Sequence, residues 1–360
     1  MDDPVAGSIQ SSYQAAVHSK PRRSRPYLGV LLCIAVSGLF LYLAVRKADF
    51  LEVRRALAAI DLRWLVPIVI ISLIDFWLRA VRWTWMFPAD SRPTVRQAFS
   101  TFMIGTLTNN LVPGRLGDIA RAGMMGKLIP AIGSSGSLAT VVLEKVVDGL
   151  TLLALLGLAL LVAPLPAWLG NTGALGSLVF LGLLSVLLII NAHGRATRGS
   201  SGLTAAQSRF EKIVSAMQGL LQRFALGLNA LNSKRQTLVV FLLTLAIWVL
   251  EFSIMFIVFL MFSLNLPFIA AIVTSVILSV GMMLPAAPGA VGTYQFFTIT
   301  GLQLYHVPES QALAMAFFLN LFVFANSTLL GLLALSMEGV NWFSGWHPLR
   351  SDQLISNRDR

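Results

Sequence analysis

Two interruptions of the pattern Pro-Gly-x-x-Gly break the apolar sequence and restrict its fold more than any other feature. The first is Pro113-Gly114-Arg115-Leu116-Gly117, and the second is Pro288-Gly289-Ala290-Val291-Gly292. Proline removes a backbone donor and glycine permits conformations that other residues resist, so each pattern predicts the end of a helix. Backbone groups freed in this way have no partner in lipid. Each interruption must therefore be buried in protein or line a wet cavity.

The composition indicates an integral membrane protein. Hydrophobic residues make up 56% of the 360 positions and charged residues only 12%, whereas soluble domains carry about 25% charged residues. The formal net charge of +11 is spread along the chain, which predicts cytoplasmic loops and contact with anionic headgroups, and not nucleic-acid binding. Cys33 is the single cysteine, so no intrachain disulfide is expected. No metal or nucleotide motif predicts a cofactor.

The apolar runs predict a transmembrane domain at 27–340 between a disordered basic cytoplasmic tail at 1–26 and a polar cytoplasmic tail at 341–360. Residues 46–63 are predicted to form a short interfacial helix, and 192–236 a cytoplasmic loop that carries an amphipathic helix. Six full spans are predicted, at 27–45, 64–85, 137–162, 175–190, 237–262 and 309–337.

The segments around the two interruptions, 97–128 and 267–306, are predicted to be re-entrant hairpins. The apolar part of the first has about 14 residues, too few to cross a ~30 Å hydrocarbon core as a helix. Basic loops at 88–96 and 192–236 belong in the cytoplasm. The number of spans between these loops agrees with this placement only if each hairpin returns to the side of the membrane that it entered from. The predicted fold class is an all-α polytopic membrane protein with six full transmembrane helices and two opposed hairpins, an inverted pseudo-repeat. Its predicted location is the cell (inner) membrane, with both termini cytoplasmic.

The half-helices that restart after Gly117 and Gly292 each present N–H groups and a positive dipole end, which favours an anion. Arg115 and Arg121 lie beside the first of these ends, and a lipid phosphate is the natural anion in a bilayer. The alternative interpretation is that Pro-Gly-x-x-Gly only makes a tight turn and the arginines snorkel to the interface.

Charged residues within the predicted spans form a second group of candidates. Arg79 and Arg82 lie on one face of the second span, and Glu144 and Asp148, one turn apart, are their expected partners. Such charges cost roughly 2.5–3.5 kcal/mol each to insert, so they should be paired or functional. They either form a structural ion-pair network, or the arginines bind phosphate while the carboxylates compete for them. Glu251 either carries a proton or pairs with an arginine.

The ordered motifs resemble the lysylphosphatidylglycerol synthase transmembrane-region family, also called flippase-like domain proteins. They are Leu78-Arg79-Ala80-Val81-Arg82-Trp83, then Asn110-x-x-Pro113-x-Arg115-x-Gly117-Asp118-x-x-Arg121-Ala122, Glu144-Lys145-x-x-Asp148 and Pro288-Gly289-x-x-Gly292. The resemblance covers about residues 28–340 and implies lipid translocation or lipid-linked transport. The chain departs from the family pattern at Lys145, usually arginine, at Gln295, usually acidic, and at Asn320, often basic. These departures argue against a cationic aminoacyl-lipid substrate.

The sequence therefore predicts transbilayer movement of an anionic-headgroup lipid, such as a phospholipid or a polyprenyl-phosphate-linked lipid. Two alternatives remain: a membrane-embedded transferase with Asp118, Glu144 or Asp148 as base, and an accessory subunit of a lipid-synthesis complex. Possible protein partners are further copies of the chain or lipid-biosynthesis enzymes. No catalytic residue is assigned. The predicted substrate-binding residues are Arg79, Arg82, Asn110, Pro113, Gly114, Arg115, Gly117, Asp118, Arg121, Glu144, Asp148, Glu251, Pro288, Gly289, Gly292 and Gln295.

Overall fold

The computed structural model describes residues 26–112, 116–162, 167–196, 233–284 and 286–338, which form helices joined by short turns and loops. The tails, most of the predicted amphipathic loop at 192–236 and the predicted site residues Pro113, Gly114 and Arg115 lie outside the described residues. The helices of the described part are α1 (Pro26–Val45), α2 (Phe50–Ala58), α3 (Leu65–Trp85), α4 (Val95–Leu111), α5 (Leu116–Leu128), α6 (Gly133–Val162), α7 (Ala167–Ala196), α8 (Lys234–Met261), α9 (Phe268–Gly281), α10 (Thr293–Gln303) and α11 (Glu309–Glu338).

The helix lengths confirm an all-α membrane protein. Three helical stretches of the described residues are long and apolar enough to cross a membrane: Leu62–Trp85, Lys234–Met261 and Glu309–Met337. A fourth span is present if Leu31–Val45 and Phe50–Ala58, which meet at an 86° bend, count as one. Helices α6 and α7 have 30 residues each, and α7 is longer at both ends than the predicted span 175–190. The total of six full spans stays a prediction.

The predicted interfacial helix at 46–63 is shorter than expected because aspartates interrupt it. Asp49 accepts hydrogen bonds from the backbone N–H groups of Leu51 and Glu52 at 2.7 and 3.4 Å, which starts α2 only at Phe50. Asp61 caps a separate 3-10 turn before α3. The 86° bend directs α2 away from the line of α1, as expected for a helix that lies along an interface.

The first hairpin consists of α4 and α5, which pack against each other. A reciprocal capping box between Thr94 and Gln97 starts α4. The two helices cross closely at two glycines: a Cβ on Gly117 would collide with the carbonyl oxygen of Gly105 and with Asn109. The Asn109 Oδ1 also accepts a hydrogen bond of 2.8 Å from the Gly117 N–H. The interruption is therefore closed by contacts between the two arms of the hairpin.

The second hairpin consists of α9 and α10, joined through a 3-10 turn at Pro288–Ala290. Gly289 and Gly292 have φ of 67° and 92°, values that side chains with a Cβ rarely adopt. The Gly292 N–H donates a 2.7 Å hydrogen bond to the Gln295 side chain three residues later. A Cβ on Gly292 would also collide with the backbone of Ser37 in α1. Both glycines are thus required by the turn itself.

The two hairpins approach α11 from opposite ends, which confirms the predicted opposed arrangement. The first hairpin tip lies at Ser327, whose Oγ accepts a 2.8 Å hydrogen bond from Asn110, and the rest of α4 runs along later residues of α11 as far as Ala334. The second tip lies earlier, where the Asn320 side chain donates a 3.0 Å hydrogen bond to the Gly289 carbonyl. Seven residues separate the two contacts, about 10 Å along a helix. The tips therefore face each other near the middle of α11.

The direction from which each hairpin enters the membrane is tested by cysteine labelling. Cys33 is buried, so a Cys33→Ala protein is a suitable background. We expect cysteines at the exposed positions Asn265 and Pro308 to react from the same, external side. Cysteines at the exposed positions Ser134 and Asn171 should react from opposite sides. Labelling of positions 265 and 308 from opposite sides would contradict the predicted orientation of the second hairpin.

The close crossing in the first hairpin predicts a large effect of Gly117→Ala on stability. The added methyl group collides with backbone that cannot move without separating α4 from α5, and such overpacking costs roughly 1–3 kcal/mol. Gly123→Ala in the same helix is the matched control, since its Cβ meets no atom within 4 Å. Thermal unfolding of the detergent-solubilised proteins should show a lower midpoint for Gly117→Ala only. Equal unfolding midpoints for Gly117→Ala and Gly123→Ala would contradict the close contact of α4 and α5 at Gly117.

Candidate functional site

A cavity of about 840 Å³ lies between the two hairpin tips and the long helices around them. Asn110 from the first tip and Gly289 from the second both line it. Its wall is mixed: aromatic and aliphatic side chains alternate with hydrogen-bonding and charged groups, as in sites that bind amphiphilic ligands. Among the described residues, the charged side chains that line the cavity are Asp75, Arg79, Asp118, Lys145, Asp148 and Glu251.

Of the predicted arginines that the structure describes, Arg79 is the one that lines this cavity. Its Nε donates a 2.7 Å hydrogen bond to Asp75, one turn earlier in α3, and its Nη2 pairs with Glu251 of α8. The side chains of Arg79 and Glu251 are 20% and 34% exposed, whereas that of Asp75 is 7% exposed. The pair of Arg79 and Glu251 is therefore accessible from the cavity, while Asp75 is a fixed partner of Arg79.

Arg82 has a different environment, although it lies on the same face of α3. Its side chain is 1% exposed, and it does not line the cavity. Its Nη1 and Nη2 both donate to Asp148, the second at 3.0 Å, and Nη1 also donates to Thr244 at 3.1 Å. Glu144 Oε1 lies 3.7 Å from Nη2. The expected partnership of Arg82 with Glu144 and Asp148 is thus present, and Arg82 is neutralised inside the protein.

Arg121 is also buried, and its side chain is 2% exposed. Its Nη1 lies 3.1 Å from Glu144 Oε2, and its Nη2 lies 3.3 Å from Asp118 Oδ1. The guanidinium carbon lies 5.0 Å from the ring centroid of Trp83 and 5.2 Å from that of Phe102, within the range of cation–π attraction. Arg121 holds α5 to α6 and α3 and lies outside the cavity lining.

Glu144 therefore links two buried arginines, Arg82 through one oxygen and Arg121 through the other. Asp118 continues the network to Lys145, whose Nζ lies 3.6 Å away and whose side chain is 45% exposed. The network runs from the closed interior, where Glu144 is 4% exposed, to the cavity wall. It joins α3, α5 and α6, the helices around the first hairpin.

One backbone N–H group at the N-terminal end of each half-helix is bonded to a side chain and is therefore not free for an anion. Asn109 accepts from the Gly117 N–H, and Gln295 accepts from the Gly292 N–H. Gly117, Gly292 and Gln295 have structural roles in closing the turns. An anion at either end would therefore need the remaining N–H groups of the first turn or nearby side chains.

The two departures from the family pattern at positions 295 and 320 contact each other. Gln295 Nε2 lies 3.4 Å from Asn320 Oδ1, and Asn320 also holds the carbonyl of Gly289. Gln295 is fully buried, whereas Asn320 lines the cavity. An amide pair thus stands where the resemblance leads us to expect an acidic and a basic residue. The second hairpin tip contributes no charge from these two positions.

Several cavity residues were missed by sequence reasoning. Phe322 and Phe324 of α11 line the cavity, and neither is among the substrate-binding residues predicted from the sequence. Asn326 donates a 2.7 Å hydrogen bond to Ser72, and both residues line the cavity together with Tyr294. The polar residues Asn320 and Asn326 within an apolar span were the available signal, because such groups require partners. Pro288 lies in the turn beside Gly289 and does not line the cavity.

Comparison with known proteins gives one family. The model described as "Lysylphosphatidylglycerol synthase TM region" matches residues 30–331. The match includes both hairpins and all the charged residues of the cavity. No curated protein and no solved structure matches the chain.

Proposed function

The chain belongs to the lysylphosphatidylglycerol synthase transmembrane-region family, and on this premise we propose that it moves an anionic-headgroup lipid between membrane leaflets. Membership indicates a function that concerns membrane lipids, and it does not distinguish transport from transfer chemistry. The observation that carries the proposal is the meeting of two opposed hairpin tips at a cavity with charged walls. Transporters with opposed broken helices place their substrate site between such tips.

The cavity suits a lipid headgroup in size and chemistry. Its volume of about 840 Å³ lies within the range of small-molecule sites, roughly 300–1,000 Å³. Phe322, Phe324 and Trp248 supply apolar surface for the first carbons of the chains. Arg79 and Lys145 supply the positive charges of the described wall. A phosphate with glycerol or sugar attached would meet both kinds of surface.

We assign the binding of the lipid phosphate to Arg79. The phosphate would take the place of Glu251 as the partner of Arg79. The described wall carries four carboxylates and two cations, so an arriving anion must displace a carboxylate from a cation. Glu251 is the more accessible partner of Arg79, whereas Asp75 is held one turn away in the same helix. An arginine fork binds phosphate through two parallel hydrogen bonds. When the lipid leaves, Glu251 would pair with Arg79 again, which restores the unoccupied site.

Arg82, Arg121 and Glu144 receive a different role in this proposal. They are buried and paired with one another, so they hold the first hairpin against α3 and α6 while the accessible residues exchange partners. Arg115 lies outside the described residues, and a phosphate contact by Arg115 stays a prediction from the sequence.

The proposal is tested with purified protein in liposomes that contain labelled phosphatidylglycerol. Leaflet accessibility of the lipid and the lipid mass are followed in the same sample. We expect leaflet exchange with no change of mass. A covalently altered lipid would support the transferase alternative and contradict the transporter. Exchange of a cationic aminoacyl lipid, with none of phosphatidylglycerol, would contradict the proposed headgroup.

Transport between opposed hairpins predicts that joining a tip to α11 stops it. Asn110 and Ser327 are in direct hydrogen-bond contact, so cysteines at both positions in a Cys33→Ala protein should form a disulfide on oxidation. We expect the oxidised protein to exchange lipid at the protein-free rate, because the first tip can no longer separate from α11. The same protein after reduction is the matched control and should recover exchange. Full exchange in the oxidised protein would show that this contact stays closed during transport.

A further inference from the structure

The end of α3 that carries Trp85 holds a second group of positive charges. The guanidinium carbon of Arg92 lies 4.0 Å from the ring centroid of Trp85, and that of Arg235 lies 6.0 Å from the same centroid. The two guanidinium groups are therefore no more than about 10 Å apart, within one Debye length at moderate salt. We call Trp85, Arg92 and Arg235 the Trp85 cluster.

The Trp85 cluster has no counter-ion within the described part of the chain. Neither Arg92 nor Arg235 forms an ion pair with a carboxylate there, whereas Arg79, Arg82 and Arg121 are each paired. Asp90, two residues before Arg92, is exposed and forms no ion pair with described residues. The Nε of Arg92 is buried and makes no hydrogen bond to described residues. Burial, with a smaller contribution from the charge of Arg235, lowers the pKa of Arg92.

The start of α8 adds to the positive potential at this place. Gln236 donates a 3.0 Å hydrogen bond to the carbonyl of Phe87, which fixes the first turn of α8 beside the end of α3. Lys234 and Arg235 are exposed in that turn. The N-terminus of a 28-residue helix carries a partial positive charge that favours anions. The fixed turn therefore presents Arg235 and the helix end toward the same space as Arg92.

We propose that the Trp85 cluster binds the phosphate of an anionic phospholipid at the membrane surface, as a site separate from the cavity. Tryptophan and arginine at a span end suit the headgroup region, where an amphipathic ring meets phosphate. Two guanidinium forks with no carboxylate partner among the described residues have donors available for phosphate oxygens. None of the three residues lines the cavity, and Trp85 lies six positions beyond Arg79, about 9 Å along α3. The site does not depend on the proposed transport.

The test is native mass spectrometry of the full-length protein released from bilayers of equal phosphatidylglycerol and phosphatidylcholine. We expect the wild-type protein to keep a phosphatidylglycerol molecule that the double variant Arg92→Gln/Arg235→Gln loses. A basic residue near an anionic surface raises affinity about fivefold, so the two substitutions should lower it roughly 30-fold. Arg96→Gln is the matched control, because Arg96 is an exposed arginine of the same segment and should change retention less than about fivefold.

Two further measurements separate the possible sources of the signal. Arg92→Lys/Arg235→Lys keeps the charges and loses the planar forks, and we expect intermediate retention. Inorganic phosphate, added in excess over the lipid, should leave the bound phosphatidylglycerol in place. Displacement of the lipid by inorganic phosphate would identify a free-anion site and overturn the lipid assignment. Equal retention by wild type and the double glutamine variant, or an equal loss in Arg96→Gln, would overturn the site.

Discussion

Glu144→Gln is expected to destabilise the transmembrane domain more than any other single substitution of the charged network. Glu144 contacts Arg82 and Arg121 through different oxygens, and all three side chains are at most 5% exposed. The substitution leaves two buried guanidinium groups with one negative partner fewer, and breaking a buried pair costs roughly 3–5 kcal/mol. Thermal unfolding of the purified protein in detergent measures the loss.

Lys145→Gln is the matched control for this substitution, because it removes a neighbouring charge whose side chain is 45% exposed. Its effect should stay within about 1 kcal/mol, as for exposed ion pairs. The double variant Arg121→Gln/Glu144→Gln should be less destabilised than the sum of the single variants, because each removes the other's unpaired charge. Additive effects would show that packing, and not charge, dominates at Glu144.

Substitution at the accessible pair is expected to change lipid transport. Arg79→Gln removes the proposed phosphate contact, and one charged hydrogen bond is worth about 1.5–3 kcal/mol. We therefore expect leaflet exchange to slow by roughly 10- to 100-fold. Glu251→Gln removes the residue that reclaims Arg79, so the lipid should be held more tightly and exchange should also slow. We therefore expect weaker lipid retention in Arg79→Gln and tighter lipid retention in Glu251→Gln.

Retention and exchange are measured on the same proteins, by mass spectrometry of co-purified lipid and by the leaflet assay. Arg54→Gln and Glu52→Gln, two exposed positions of α2, are matched controls for loss of one charge and should behave as wild type. Weaker retention in Glu251→Gln would contradict the exchange of partners at Arg79. An unchanged exchange rate in Arg79→Gln would remove Arg79 from the headgroup site.

The sequence determined the fold class because its main signals are local. Pro-Gly-x-x-Gly ends a helix wherever it occurs, and an apolar run of about 14 residues cannot cross a ~30 Å core. These two facts predicted both hairpins. The number of crossings between the basic cytoplasmic loops predicted that the two hairpins enter the membrane from opposite sides. Arg79 and Arg82 were placed on one face of α3 by helical periodicity alone. The lengths of α2 and α7 were less well predicted, because caps and uncharged loops decide where such helices end.

Only the tertiary structure decided which of the charged residues face the cavity. Periodicity gives the face of a helix, but the exposure of a side chain depends on the helices packed against that face. Arg79 and Arg82 therefore have the same sequence signal and opposite environments, 20% and 1% exposed. The capping of Gly117 by Asn109 and the contact of Gln295 with Asn320 likewise depend on where two chain segments meet. Partner choice between distant segments is a property of packing, which no local pattern encodes.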